Sequence, residues 1–209
     1  MIDPAELAKM LIALLVMVDP IGVAPLFLAL TSNYPDQRKK IANIAVITAV
    51  IVLVSGAILG QYILHLFGIS LTSFRVFGGV LFLIMAIDML YARPSRTKTT
   101  HEEETEAHSR KDTGVVPLGL PLLAGPGAIS SVLISYKSAE SIPMKAGVII
   151  VILITGIITW ITLRLSVKIA TKLGQTGIAV MERIMGLMLG AIAVEFIFGG
   201  IKELLVSVR

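Results

Sequence analysis

The chain has 209 residues, 56% of them hydrophobic and 15% charged, with a formal net charge of +4 at pH 7. A water-soluble fold of this size cannot bury so much apolar surface, so a soluble enzyme, a disordered protein and a secreted disulfide scaffold are excluded. The absence of cysteine removes disulfides, thiol catalysis and thiolate metal sites together.

Apolar runs cover about 7–30, 41–67, 72–91, 115–135, 144–170 and 178–205. A membrane-spanning helix takes roughly 20 such residues, and none of the runs has the period-two alternation of a membrane β-barrel strand. The expected fold is therefore all-α, a polytopic membrane protein with six transmembrane helices. Residues 1–6 lack the basic region of a signal peptide, so the first run is expected to persist as a helix. Punctuation falls at Asn33-Tyr34-Pro35-Asp36, at Phe67-Gly68-Ile69-Ser70, over 138–143, and at Lys172–Gly177, which is expected to close the fifth helix.

The first run is broken at its centre by Asp19-Pro20-Ile21-Gly22. Proline removes an amide donor and clashes with the preceding turn, so an interrupted helix near the bilayer midplane is expected. The fourth run carries the same theme at Gly125-Pro126-Gly127, with Ser130 and Ser131 in the turn that restarts. Exposed backbone at this depth is tolerated only where it lines a cavity or is buried in protein. A restarted helix offers unpaired amides and a partial positive charge, and the preceding half-helix offers carbonyls. Together these suit a zwitterion, its carboxylate on amides and its amine on carbonyls. Asp19 either caps the restarting helix or contacts the substrate amine or a coupling proton, and the two roles are compatible.

Between the third and fourth runs lies the polar stretch 92–114, with Glu102, Glu103, Glu104 and Glu106, whose composition is that of a mobile linker. His101, Glu104 and His108 have a helical spacing that a metal could use, but a solvated charged linker is the better reading, and no metal site or cofactor is expected. Three helices on either side suggest duplication, with an odd number of spans placing the second half upside down. Shifting the first half by about 107 residues superposes Pro20 on Pro126, Thr48 on Thr155, Ser55 on Thr162, Arg75-x-x-Gly78 on Arg183-x-x-Gly186, and Asp88 on Glu195. The organisation expected is a first three-helix repeat over 1–91, a cytoplasmic linker over 92–114 and an inverted repeat over 115–209. Thr48 and Thr155 match across the repeat and are the hydroxyls expected to face the cavity. Asp88 and Glu195 are candidate gating or coupling acids.

The loops on one side carry Arg38, Lys39, Lys40, Arg93, Arg96, Lys98, Arg110, Lys111, Arg164, Lys168, Lys172 and Arg183. The termini and the other loops carry half as many: Lys9, Arg75, Lys137, Lys145, Lys202 and Arg209. The positive-inside rule then places both termini outside a cytoplasmic (inner) membrane. The net positive charge is thus read as topology, not as a nucleic-acid surface. No Gly-x-Ser-x-Gly, His-Glu-x-x-His or phosphate loop is present, and no enzyme activity is expected.

The stretches Asp19-Pro20-Ile21-Gly22-Val23-Ala24-Pro25-Leu26-Phe27, Pro121–Ile129 and Glu182-Arg183-Ile184-Met185-Gly186 resemble the MarC family of six-helix bacterial and archaeal membrane proteins. The resemblance covers nearly the whole chain apart from the linker. It implies a transporter of small neutral amino acids such as glycine and alanine. It also implies that the discontinuous first and fourth helices form the site, through Asp19, Pro20, Gly22, Gly125, Pro126, Gly127 and Ser130. The function expected is secondary transport by alternating access, with a proton or sodium as coupling ion. An exporter of drugs or other metabolites with the same fold and a channel-like pore are the alternatives. The partners expected are the amino-acid substrate, the lipid bilayer and, as an open option, further copies of the chain.

Overall fold

The computed structural model describes residues 4–32, 34–91 and 114–207. Among these residues every element is helical and no strand is present. In chain order they are α1 (Pro4–Val18), α2 (Pro20–Leu30), a 3-10 turn (Pro35–Gln37), α3 (Arg38–Leu66), α4 (Leu71–Leu90), a π-helical segment (Gly114–Leu123), α5 (Pro126–Ser138), α6 (Ile142–Arg164) and α7 (Ser166–Ser207). The linker expected over 92–114, with His101, Glu104 and His108, lies outside the described residues apart from Gly114.

Five helical stretches among the described residues are long and apolar enough to cross a membrane: Pro4–Leu30, Pro35–Leu66, Leu71–Leu90, Ile142–Arg164 and Ser166–Leu205. The fourth run is broken beside Gly125-Pro126-Gly127, as expected, into two pieces, ten residues of π-helix and 13 of α-helix, meeting at Ala124 and Gly125. Neither piece alone has the length of a span.

Helix ends follow local chemistry. Gly68, at φ 65°, closes α3 with a Schellman arrangement: Ile69 N–H donates to the Leu64 carbonyl at 2.9 Å and Gly68 N–H to that of His65 at 3.1 Å. Ser70 and Ser141 cap α4 and α6, accepting from Ser73 N–H at 3.0 Å and Met144 N–H at 3.3 Å. The fifth helix ends earlier than the sequence pattern suggests. α6 stops at Arg164, where Leu165 turns to φ −93°, ψ 4° and places its N–H on Ile161 and Leu163. Apolar character runs on through this point, so periodicity alone does not reveal the stop. The break expected at 172–177 is a kink inside α7 at Gly174, at φ 61°, ψ 179°.

The largest helix pair is α4 against α7, packed antiparallel through small residues. A Cβ on Gly79 would lie 2.7 Å from Ile197 Cγ1 and 3.0 Å from both the Ala193 carbonyl oxygen and the Ile197 nitrogen. At the other end of the contact, a Cβ on Gly186 would lie 3.0 Å from the Ala86 carbonyl oxygen and from Met89 Cβ. The backbones therefore touch, as small-residue packing between membrane helices permits. Most of the remaining contacts cross between halves: α3 rests on the π-helical segment and α5, and α6 rests on α1 and α2. Phe82, Leu14, Met17, Leu118, Leu123 and Leu189 are fully buried where these elements converge.

Gly79→Ala should destabilise the protein by about 1–3 kcal/mol, because backbone cannot yield to the new methyl group. Gly190→Ala, whose Cβ would sit 3.7 Å from that of Ala86, should be neutral or mildly stabilising through helix propensity. Thermal unfolding of both variants in detergent separates the two outcomes, and equal melting temperatures would refute the close packing.

Candidate binding site

The first break is made by one residue in two roles. Asp19 adopts a left-handed conformation, φ 51°, ψ 61°, which Asp tolerates better than most side chains. Its N–H donates to the Leu15 carbonyl at 2.9 Å, closing α1, while its own carbonyl accepts from Val23 N–H at 3.0 Å, opening α2. The side chain completes the junction: Asp19 Oδ1 accepts from Gly22 N–H at 3.1 Å. Pro20 occupies the first helical position, where a missing amide costs least. Gly22 is required by the carboxylate itself, since a Cβ there would lie 2.8 Å from Asp19 Cγ and collide with Oδ2. Asp19 is 6% exposed, so this is a buried carboxylate.

The second break is built differently. Ala124 N–H reaches five residues back to the Gly119 carbonyl at 3.2 Å, ending the π-helical segment. Gly125 is extended, φ −70°, ψ 166°, and heads α5 without any side-chain cap. Gly125 and Gly127 are buried, and Pro126 between them is exposed. Gly127 lies under α4, where a Cβ would meet Met85 Sδ at 3.0 Å and the Phe82 ring at 3.3 Å. Ser130 is buried, and its hydroxyl donates back to the Pro126 carbonyl at 2.8 Å. Because prolines have no N–H, Pro20 cannot serve the Val16 carbonyl, nor can Pro126 serve that of Leu122.

Residues flanking the two breaks, Val18 and Leu123, line one small cavity of about 10 Å³ with Thr155, Gly156 and Thr159 and with Val46, Ala49, Val50 and Leu53 of α3. Val18 immediately precedes Asp19, and Leu123 ends the π-helical segment. The volume is about that of a single water. Thr155 is 1% exposed and its hydroxyl oxygen has no hydrogen-bond partner. Its helical neighbours behave otherwise: Thr159 and Thr162 donate to the carbonyls four residues back, at 2.8 and 2.9 Å. A buried hydroxyl left unbonded costs about 1–3 kcal/mol, so Thr155 is the polar group at this place with capacity to spare.

Thr155 thus lines the cavity itself, whereas Asp19 and Gly125 lie one and two residues along the chain from its lining residues Val18 and Leu123. Thr48 does not line the cavity; it is half-buried against Gly119, where a Cβ would lie 2.7 Å from its own. Asp88 and Glu195 are not brought together. The register of α4 on α7 sets Glu195 beside Gly79 and Asp88 beside Gly186, about 13 Å apart along the helix pair at 1.5 Å per residue. Asp88 is half-buried and Glu195 exposed. The ion pair joining these helices is Arg75 with Glu203, at 3.9 Å, and the Arg75 guanidinium also lies 5.6 Å from the Phe196 ring centroid. The apolar wall Val46, Ala49, Val50 and Leu53 carries no sequence signal beyond its 3-4 spacing, which any buried helix face shares.

The model of the MarC family of integral membrane proteins matches residues 5–205. The chain is 39% identical over 195 residues to the UPF0056 membrane protein YhcE of Escherichia coli, covering 93% of this chain and 91% of that one. It is 38% identical over 186 residues to the UPF0056 membrane protein MJ1677 of Methanocaldococcus jannaschii, covering 88% and 90%. With the UPF0056 membrane protein PYRAB13050 of Pyrococcus abyssi it shares 36% over 196 residues, covering 93% and 94%. No solved structure matches. The chain belongs to the MarC family and is an integral membrane protein.

Asp19→Ala should cost about 1–2 kcal/mol by removing the cap and leaving a methyl-bearing residue in the left-handed region. Asp19→Asn, which keeps both the acceptor and the tolerance for that conformation, should fall within about 0.5 kcal/mol of the parent. Melting temperatures that rank alanine equal to asparagine would contradict the capping role.

Proposed function

We propose that this MarC-family chain is a secondary transporter of small neutral amino acids in the cytoplasmic membrane, working by alternating access. The carrying observation is a small cavity lined by residues next to both helix breaks and by Thr155, whose buried hydroxyl has no partner.

The reading takes six membrane segments as two inverted repeats, 1–91 and 115–209, flanking the linker 92–114. The π-helical segment and α5 together form the fourth. Reciprocal contacts between α4 and α7 support it. Gly79 packs on Ala193 and Gly186 packs on Ala86, and an offset of 107 carries each pair onto the other. A two-fold relation produces such reciprocity. The crossed packing of α3 and α6 on the opposite half's broken segment follows the same relation. Lys137 lines one pocket with His65, Ile69 and Leu71, which gathers the α3–α4 and α5–α6 turns on one side. That agrees with alternating spans, and the excess of Lys and Arg in the other loops assigns this side, with both termini, to the outside.

The chemistry of the breaks suits a zwitterion held in one direction. The uncapped N-terminus of α5 presents amides and a positive dipole end to a carboxylate. Asp19 presents negative charge to an ammonium, and the carbonyls that Pro20 and Pro126 leave unserved add to it. The tight apolar wall from Val18, Val46, Ala49, Val50, Leu53 and Leu123 admits little side chain, in keeping with glycine or alanine. Asp19 is the group on which a coupling proton would sit, and a sodium ion would use the carbonyls instead.

Purified protein in liposomes should take up labelled glycine or alanine saturably and show counterflow exchange. Thr155→Val should melt no lower than the parent, because an unsatisfied buried hydroxyl is removed, yet transport should fall about tenfold for a lost hydrogen bond of roughly 1.4 kcal/mol. Linear flux without counterflow would establish a pore, and efflux of a drug without amino-acid uptake an exporter of another class. Full transport by Thr155→Val would remove that residue from the site.

A further inference from the structure

α3 and α6 run antiparallel, with Gly156 packed on Val46 and Val50. Where α3 begins and α6 ends, three side chains form a cluster that the transport reading does not use. Asn43 Oδ1 accepts from Trp160 Nε1 at 2.8 Å and from Arg164 Nη2 at 3.1 Å, and the Arg164 guanidinium lies 4.5 Å from the Trp160 ring centroid. Both hydrogen bonds are solvent-exposed. The partner holding Arg164 here is a neutral amide, so the guanidinium is fixed in position without its charge being cancelled. Asn43 engages one of its five N–H donors. Lys40 lies three residues before Asn43 on the same face of α3 and is exposed.

Away from this end the same two faces turn apolar. Ile47 and Ile51 continue the stripe of Asn43 on α3, and Ile157 continues that of Trp160 on α6; all three are exposed. Arg164 closes the apolar span Ile142–Arg164, so the cluster sits at headgroup depth and the isoleucines at acyl-chain depth. A tryptophan with one polar edge fits that level.

We propose that the outer face of the α3–α6 pair is a binding site for an acidic phospholipid. Its phosphate takes the guanidinium fork of Arg164, Lys40 adds a second positive charge, and the acyl chains lie along Ile47, Ile51 and Ile157. Arg164 and Lys40 are both positive, which favours a headgroup of net negative charge over a zwitterionic one that brings its own ammonium.

Trp160 is the sole tryptophan of the chain, so its fluorescence reads this site directly. The protein is reconstituted in phosphatidylcholine vesicles that contain either brominated phosphatidylglycerol or brominated phosphatidylcholine as the quencher. Brominated phosphatidylglycerol should quench at about fivefold lower mole fraction for each basic side chain engaged. Arg164→Gln should bring the two quenching curves together. Lys40→Gln, which leaves the three-residue cluster intact, should narrow the gap, and Lys145→Gln, near the start of α6, should preserve it. Coincident curves for the parent protein overturn the proposal, whatever the variants do, and so does a preference that survives Arg164→Gln.

Discussion

A backbone amide or carbonyl inside a bilayer has no water to fall back on. Every interruption of a helix there must be compensated by the protein, and the fold is organised around two such interruptions. At the first, a single aspartate closes one helix through its N–H, opens the next through its carbonyl and caps it through its carboxylate. At the second, the change from π-helix to α-helix through an extended glycine does the same with backbone alone. Neither junction would persist against lipid; each is covered by helices from the other half of the chain.

That covering explains the shape of the rest. α4 and α7 meet backbone to backbone through Gly79 and Gly186 and hold the halves together. α3 and α6 then lie across the broken segments, with Gly56 and Gly60 of α3 against Ile129 and Leu133 of α5. The small cavity forms where α3 and α6 pass over both junctions. A packed interior does not deform continuously, so in the proposed transport reading a cavity of one water's volume calls for discrete rearrangement of one half against the other. Helix pairs joined by small residues, with the ion pair Arg75–Glu203 at one edge, would suit the rocking that the proposed transport reading needs.

Much of this was legible in the sequence because proline, glycine and aspartate are costly inside a span and stand out there. Both breaks and the turn at Phe67-Gly68-Ile69-Ser70 follow from residues whose chemistry is local. What could not be read depends on which faces meet. Thr48 matches Thr155 across the repeat, yet it packs on Gly119 because the π-helical segment brings that glycine onto α3. Asp88 and Glu195 match equally well, but the antiparallel register of α4 on α7 separates equivalent positions instead of joining them. The end of α6 at Arg164 and the cluster it forms with Asn43 are invisible to periodicity, since residues 121 positions apart meet only in the folded chain.

The inequality of the two breaks bears most directly on function. A pair of identical, uncapped helix ends would offer the same positive charge from both directions and would favour an anion over a zwitterion. Here one end already carries its own carboxylate, spent on Gly22, while the end at Gly125 is left open. In the proposed reading, a carboxylate at Asp19 and the open N-terminus of α5 give the junctions a direction, negative toward Asp19 and positive toward α5. A dipolar solute gains from aligning with it, whereas a simple anion is repelled at one side and a simple cation at the other. In the proposed inverted-repeat reading two access routes lead to such a site, and the single aspartate supplies the polarity that symmetry alone would cancel.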